Sequence, residues 1–385
     1  VQKRCPAISG DICADYTQGA ENPTALVAVK HRCSDGAILR DRPLVDVADF
    51  SSLYESMEKC RKGVLWKSSV AHYYLHGIEE TLKLEEQLRN GTYKEAPPVC
   101  FKVTHPKPRD IVSISFRDRV YQRSLNDNAI YPQMTRSFIW NNFACQKSKG
   151  PDKAREELKK ALRHHFRKYG LQGGILQFDI HGYYDHMTRE VVNDRFSRHL
   201  DPDIYRRAVA VLDNQYKQVK GYNPGSQMVQ IAGISVLDPL DHHIKERARI
   251  KYYGRYMDDG LLLHHDAAFL ECCRSQLEDL LSKDGFEFNQ KKTTIHTLAE
   301  GVVYLGFHFR LTPTGKVVMS ISSDNVRNEK RKLHRQVNLC LKGRLTRDKV
   351  DSCFESWKAH ASKGDSYRLI RRMDNYYESL WRNAI

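Results

Sequence analysis

Three aspartates stand where carboxylate chemistry could be assembled. Asp179 closes the short apolar run Ile175-Leu176-Gln177-Phe178, and Asp258-Asp259 separate Tyr252-Tyr253-Gly254-Arg255-Tyr256-Met257 from Gly260-Leu261-Leu262-Leu263. A buried strand ending in one carboxylate and a hairpin with two at its tip place hard oxygen ligands together if the strands are neighbours in one sheet. Such a set suits two divalent ions about 4 Å apart, which align and neutralise a phosphoryl group during transfer. Taken alone, an Asp-Asp tip is also ordinary turn chemistry, because Asp hydrogen-bonds its own backbone there.

The charge balance points to a polyanionic partner. The 385 residues carry 62 Lys plus Arg against 47 Asp plus Glu, a net +15 that is large for an enzyme of small metabolites. With 41% hydrophobic and 10% aromatic residues the chain can fill cores, which excludes a mainly disordered protein. No apolar stretch approaches the roughly 20 residues of a membrane helix, so no membrane partner is expected and a cytoplasmic location is. The ten cysteines are scattered singly apart from Cys272-Cys273, with no C-x-x-C pair and no secretory signal, as in a reduced chain. A structural zinc site would need distant ligands, such as Cys5, Cys13 and Cys33 with a His. The chain opens at Val1 rather than Met, as a processed or trimmed start would.

The elements that must position the aspartates follow from periodicity. Residues 1–49 show no period and read as an N-terminal extension. From Phe50 to Asn90 the apolar spacing is helical, and two strands at Cys100–Val103 and Ile111–Ile114 flank a basic turn, Pro106-Lys107-Pro108-Arg109. Pro151-Asp152 opens a helix with Ala154, Leu158, Ala161, Leu162 and His165 on one face. After Gly173-Gly174 come the Asp179 strand, the Asp258-Asp259 hairpin, a helix through Phe269, Cys273, Leu277 and Leu280, and a strand over Val302–Phe307.

The last 61 residues hold 15 Lys plus Arg against 7 Asp plus Glu, so more than half of the net charge sits in a sixth of the chain. They form three amphipathic segments, the first with Arg327, Arg331 and Arg335 on a face of their own. That face is either solvated or a surface for phosphate backbone.

Taken in order, these segments resemble a reverse transcriptase. Tyr256-Met257-Asp258-Asp259 is similar to the family's catalytic hairpin, and Phe178-Asp179 with Tyr183-Tyr184-Asp185 to the segment bearing its other metal-binding aspartate. Phe116–Gln122, Asn142–Gly150, Pro224–Gln230, Asn289–Thr293 and Tyr304–Phe307 resemble further motifs of the family, with Ser148 standing where Gly is more usual.

The resemblance implies an α+β right-hand polymerase fold. Its fingers would span 50–170, its palm 171–318 with an antiparallel sheet and helices on one face, and its basic helical thumb 319–385. Within the palm, 210–235 would supply the loop and helix that contact template and nucleotide, and 304–307 the primer grip. The palm sheet itself is expected to be a split β-α-β unit.

It implies an RNA-directed DNA polymerase with two Mg2+ ions, or Mn2+ as substitute, held by Asp179, Asp258, Asp259 and the Ile180 backbone. Lys292 would protonate pyrophosphate, and Arg109 and Lys107 would grip the incoming dNTP. Tyr184 would exclude a 2′-hydroxyl, and Gln230 would line the nucleotide pocket. Gly225, Leu305, Gly306, Arg327, Arg331 and Arg335 would contact nucleic acid. For Lys292 the alternative is a solvated surface lysine, and for Tyr184 an aromatic packed on the sheet.

Gln230, the Pro-Lys-Pro-Arg segment and Ser356-Trp357-Lys358-Ala359-His360 are similar to the bacterial group found in diversity-generating retroelements. Partners implied are template RNA, primer and cDNA strand, dNTPs, and a small basic accessory protein or a structured noncoding RNA. A phage-defence reverse transcriptase and a catalytically silent RNA-binding scaffold are the alternatives. Because the sequence stops soon after the thumb segment, an RNase H, DNA-binding or endonuclease domain is not expected.

Overall fold

The structure is a computed structural model describing residues 46–104, 108–217, 219–223 and 225–382, and of Arg109 the backbone alone. Lys107, Pro224 and the cysteines at 5, 13 and 33 lie outside the described residues, as does nearly all of the N-terminal extension. Among the described residues nine strands form three antiparallel sheets. In chain order they are β1 (Val99–Val103), β2 (Arg109–Ser113), β3 (Gly174–Phe178), β4 (Tyr252–Tyr256), β5 (Asp259–His264), β6 (Thr294–Thr297), β7 (Val302–Tyr304), β8 (Phe307–Leu311) and β9 (Val317–Ile321).

The predicted helical stretch before β1 is divided into Phe50–Cys60, Ser68–Leu75 and Gly77–Arg89. Asp49 caps the first by accepting from the Ser52 amide, and Leu53 and Met57 bury its inner face. β1 and β2 pair antiparallel, as the expected hairpin requires.

The central sheet has the order β4-β5-β3-β6, all pairs antiparallel. With helices between β3 and β4, and helix Ala267–Ser282 between β5 and β6, this is the split β-α-β arrangement. Its two inner strands separate their side chains onto two cores. Leu176, Phe178 and Leu262 pack with Leu270, Cys273 and Leu277 of helix Ala267–Ser282. Ile175, Leu261 and Leu263 pack with Leu158 and Leu162 of helix Pro151–Tyr169. Helical cover therefore extends beyond the one face anticipated, which is why β3 and β5 read as nearly continuous apolar runs rather than alternating ones. A Cβ on Gly260 would come 2.1 Å from the Phe178 ring, so only glycine lets that ring lie across β5.

The strand expected over Val302–Phe307 is instead a tight hairpin. Leu305 and Gly306 both take left-handed backbone, with φ of 47° and 87°, and turn β7 back into β8. A two-residue turn with both central φ positive suits the twist of an antiparallel pair, and glycine at the second position makes it accessible. Beyond β9, helices Ser323–Leu341, Arg347–Ala361 and Tyr367–Arg382 match the three amphipathic segments. They share a core with β7–β9 through Leu333, Val337, Phe354, Trp357 and Met373. The 318/319 palm–thumb boundary falls inside β9. No described helix is long and apolar enough to cross a membrane, and the described cysteines form no disulfide.

Candidate active site

Strand register brings the carboxylates together. β3 pairs with β5 so that Gly174 opposes His264 and Phe178 opposes Gly260. Continued by one residue, the same register sets Asp179 opposite Asp259, and directly opposed residues of an antiparallel pair carry side chains about 5 Å apart on one face. The β4–β5 pairing closes at Tyr256 opposite Asp259, leaving Met257 and Asp258 as a two-residue turn. Met257 has a φ of 56° at the first turn position, the pattern of a type II′ hairpin turn, so the strained residue is a non-glycine.

Asp179 is 7% exposed and held on every side. Its amide donates to Thr293 Oγ1 (3.3 Å), and its carbonyl accepts from the Asn289 amide (2.8 Å). One carboxylate oxygen accepts from Asn289 Nδ2 (3.1 Å) and the other from Lys292 Nζ (2.8 Å). Burial pushes the Asp258 carboxyl up, and the Asp179 charge pushes the same way. Asp259 is pushed up to about 7 by burial first and then by Asp258 and Asp179, and it lies within hydrogen-bond reach of Asp179. A nearby cation opposes such a rise and favours the ionised carboxylate. Lys292 supplies one positive charge, its own ammonium held charged by the bond to Asp179. Its side chain stays 61% exposed, so solvent screens the pair and weakens it.

The donor set fits hard divalent ions: carboxylate oxygens, together with the backbone at Ile180. The Ile180–Phe288 bridge is made by the Asn289 amide on Asp179 and the His181 amide on Glu287, so neither bond uses the Ile180 carbonyl. Among the described residues no three His, Cys, Asp or Glu side chains close into a metal cage. The aspartates are arranged around the Lys292 ammonium, which takes up one oxygen of Asp179.

The remaining sequence-predicted residues divide into near and far. Tyr184 stands beside this centre: burial raises its hydroxyl, and Cys145 and Asp258 add to the rise. Helix Gln227–Val236 approaches it so closely that a Cβ on Gly233 would meet the Tyr184 ring at 3.4 Å. Gln230 lies three residues before Gly233, hence on the same helix face. The loop carrying Gly225 packs on the β1–β2 hairpin, with Asn223 Nδ2 donating to the Asp110 carbonyl at 3.1 Å, next to the backbone of Arg109. The Leu305-Gly306 turn is anchored by Arg155, which donates to the Leu305 carbonyl at 2.9 Å. Arg327, Arg331 and Arg335 are exposed on helix Ser323–Leu341, Arg327 pairing with Asp324.

Other residues at the centre were not singled out from sequence. Asn289 grips Asp179 from backbone and side chain. Arg155, Arg255 and Asp241 are buried charges, and the only sequence signal for Arg255 is an arginine at an inward position of an aromatic strand. Ser148, in place of the more usual glycine, adopts a left-handed φ of 60°, which accounts for the preference there.

Comparison with known proteins bears on this geometry. A family model described as reverse transcriptase (RNA-dependent DNA polymerase) matches residues 102–309, more than half of the chain. No curated protein sequence matches. Among solved structures, telomerase from Candida albicans in complex with a TWJ fragment of telomeric RNA aligns with a TM-score of 0.45 at 11% identity, over 81% of this chain and 65% of that one. The Sicinivirus 3Dpol RNA-dependent RNA polymerase aligns with a TM-score of 0.37 at 14% identity, over 60% and 50%. The chain thus spans less than two thirds of either neighbour, and neither likeness is high enough to bear weight. Sheet order, the basic hairpin before it, the helices after it and the family match describe a right-hand polymerase fold, and the chain belongs to the reverse transcriptase family.

Proposed function

We propose that the chain is an RNA-directed DNA polymerase that makes cDNA on a template RNA from dNTPs, at the cleft where Asp179, Asp258 and Asp259 converge. The observation that carries this reading is the β3–β5 register, which opposes Asp179 and Asp259 in a chain of this family. Asp179, Asp258, Asp259 and the Ile180 carbonyl would hold two Mg2+ ions, with Mn2+ as a substitute. When bound, such ions activate the attacking hydroxyl and steady the leaving pyrophosphate.

The protein's own groups supply the rest. Lys292 keeps a proton beside Asp179 and, released from it, donates to pyrophosphate. Lys107 and Arg109 grip the triphosphate. The Tyr184 ring excludes a ribose 2′-hydroxyl while Gln230 lines the same pocket. Gly225 lets the template approach, Leu305 and Gly306 hold the primer end, and Arg327, Arg331 and Arg335 bind phosphate backbone.

The setting proposed is a bacterial diversity-generating retroelement in the cytoplasm, with a small basic accessory protein or a structured noncoding RNA as partner. Gln230, Pro106-Lys107-Pro108-Arg109 and Ser356–His360 support it. An imperfect repeat pair differing at adenines beside the gene is the expected neighbourhood. A lone gene beside a structured noncoding RNA would point to phage defence instead.

Primer extension on RNA with Mg2+ tests the activity. Asp179→Asn and Asp258→Asn are expected to lower extension by at least a hundredfold while RNA binding stays within a factor of two or so, an effect of about 3 kcal/mol on the transition state. Extension near the wild-type rate would remove them from the metal site. Tyr184→Ala should raise incorporation of ribonucleotides relative to deoxynucleotides about tenfold or more, and unchanged sugar discrimination would return Tyr184 to packing.

The crowded carboxylates also make a stability prediction. A folded-state pKa raised from 3.8 to about 7 means that Asp259 stabilises the fold only while protonated, and that this is lost as pH rises through about 7. Asn is neutral throughout, so without divalent ions the stability of Asp259→Asn relative to wild type should grow between pH 4 and 7, by at most ~4 kcal/mol. Urea melts at several pH values measure it, and a difference that does not vary with pH would mean that the carboxylates do not crowd.

A further inference from the structure

Arg255 is the largest fully buried side chain among the described residues, and its guanidinium is bonded from all three nitrogens. Nε and Nη2 donate to the two carboxylate oxygens of Asp241 at 2.7 and 2.6 Å, and the pair is wholly shielded from solvent. Nη2 also reaches the Ile234 carbonyl (3.1 Å), at the inner end of helix Gln227–Val236. Nη1 donates to the Met257 carbonyl at 2.7 Å. Asp241 is satisfied in turn by the Tyr253 hydroxyl at 2.6 Å. One side chain thus ties the left-handed residue of the turn, immediately before Asp258, to the helix that faces Tyr184.

A buried ion pair is weak evidence for stability, because well-packed apolar side chains of similar size generally serve as well or better. What apolar side chains cannot do is hold a carbonyl at a defined point. Met257 needs such a hold, since its φ of 56° is a conformation that non-glycine residues seldom adopt unless surrounding bonds enforce it. The planar fork of arginine lets one group bond carboxylate and carbonyls at once, which a lysine ammonium does not reproduce.

We propose that Arg255 is a positioning residue: braced on Asp241, it fixes the Met257–Asp258 turn against helix Gln227–Val236, so that the aspartates receive a divalent ion without rearrangement of that turn. This rests on the metal-binding reading above. The test uses Mn2+ alone as probe, its binding followed by electron paramagnetic resonance of the free ion, together with thermal melting of the metal-free protein. In the triple variant Tyr253→Phe, Asp241→Leu, Arg255→Met both charges leave together and no polar side chain of the three is stranded. It should melt at or above the wild-type temperature, yet bind Mn2+ at least tenfold more weakly. Adding Met257→Gly, which makes the turn conformation free of strain, should recover part of that loss.

A folded triple variant with wild-type Mn2+ affinity would reduce Arg255 to core packing and overturn the proposal. If the triple variant does not fold, Arg255→Lys decides: it keeps the charge on Asp241 but not the fork to Met257, so weakened Mn2+ binding supports the role and unchanged binding overturns it. Failure of the underlying reading has a different signature. Wild-type protein that binds no Mn2+, or binds it unchanged in Asp179→Asn, removes the metal centre and this proposal with it.

Discussion

The molecule is organised around one electrostatic conflict. An antiparallel register places Asp179 opposite Asp259, and a two-residue turn adds Asp258 alongside, in surroundings that are mostly dry. Burial and the neighbouring carboxylates raise Asp258 and Asp259, and the screened ammonium of Lys292 works against that rise. Divalent cations relieve crowding of this kind in general, and chemistry on phosphates needs the same cations.

Most of the surrounding architecture keeps that conflict in place. Both faces of the central sheet are covered, by helix Ala267–Ser282 on one side and helix Pro151–Tyr169 on the other, so β3 and β5 cannot slip by a residue without exposing an apolar set. Gly260 admits the Phe178 ring at a point where a side chain would force the strands apart. The loop after helix Ala267–Ser282 returns to clamp Asp179 through Asn289 and Thr293. Arg255 and Arg155 act at longer range, one on the Met257 carbonyl and the other on the Leu305 carbonyl, so that two hairpin turns are each braced by a buried guanidinium.

Much of this was legible in the residues, and the exceptions have physical reasons. The aspartate strand and hairpin could be read because an apolar run ending in Asp, and Met-Asp-Asp-Gly between aromatic and leucine runs, leave few alternatives once motif order is added. The Leu305-Gly306 turn was hidden, since Val-Val-Tyr-Leu-Gly-Phe has strand composition throughout and only backbone handedness reveals the reversal. Cover on the second sheet face was hidden too, because an apolar run does not say how many layers bury it. Lys292 was read for proton donation, but no spacing rule could tell that it rests on Asp179. Arg255 passed unnoticed because its partner Asp241 lies fourteen residues away on a helix, and burial of a charge is a tertiary property.

The central claim is that the opposed aspartates form a cation site from which Lys292 can be displaced. Anomalous diffraction from crystals soaked in Mn2+ and a dNTP measures it most directly. The account predicts Mn2+ density between Asp179 and Asp259, with the Lys292 ammonium moved off Asp179. Crystals that show no such density at saturating Mn2+, with Lys292 still bonded to Asp179, would contradict it.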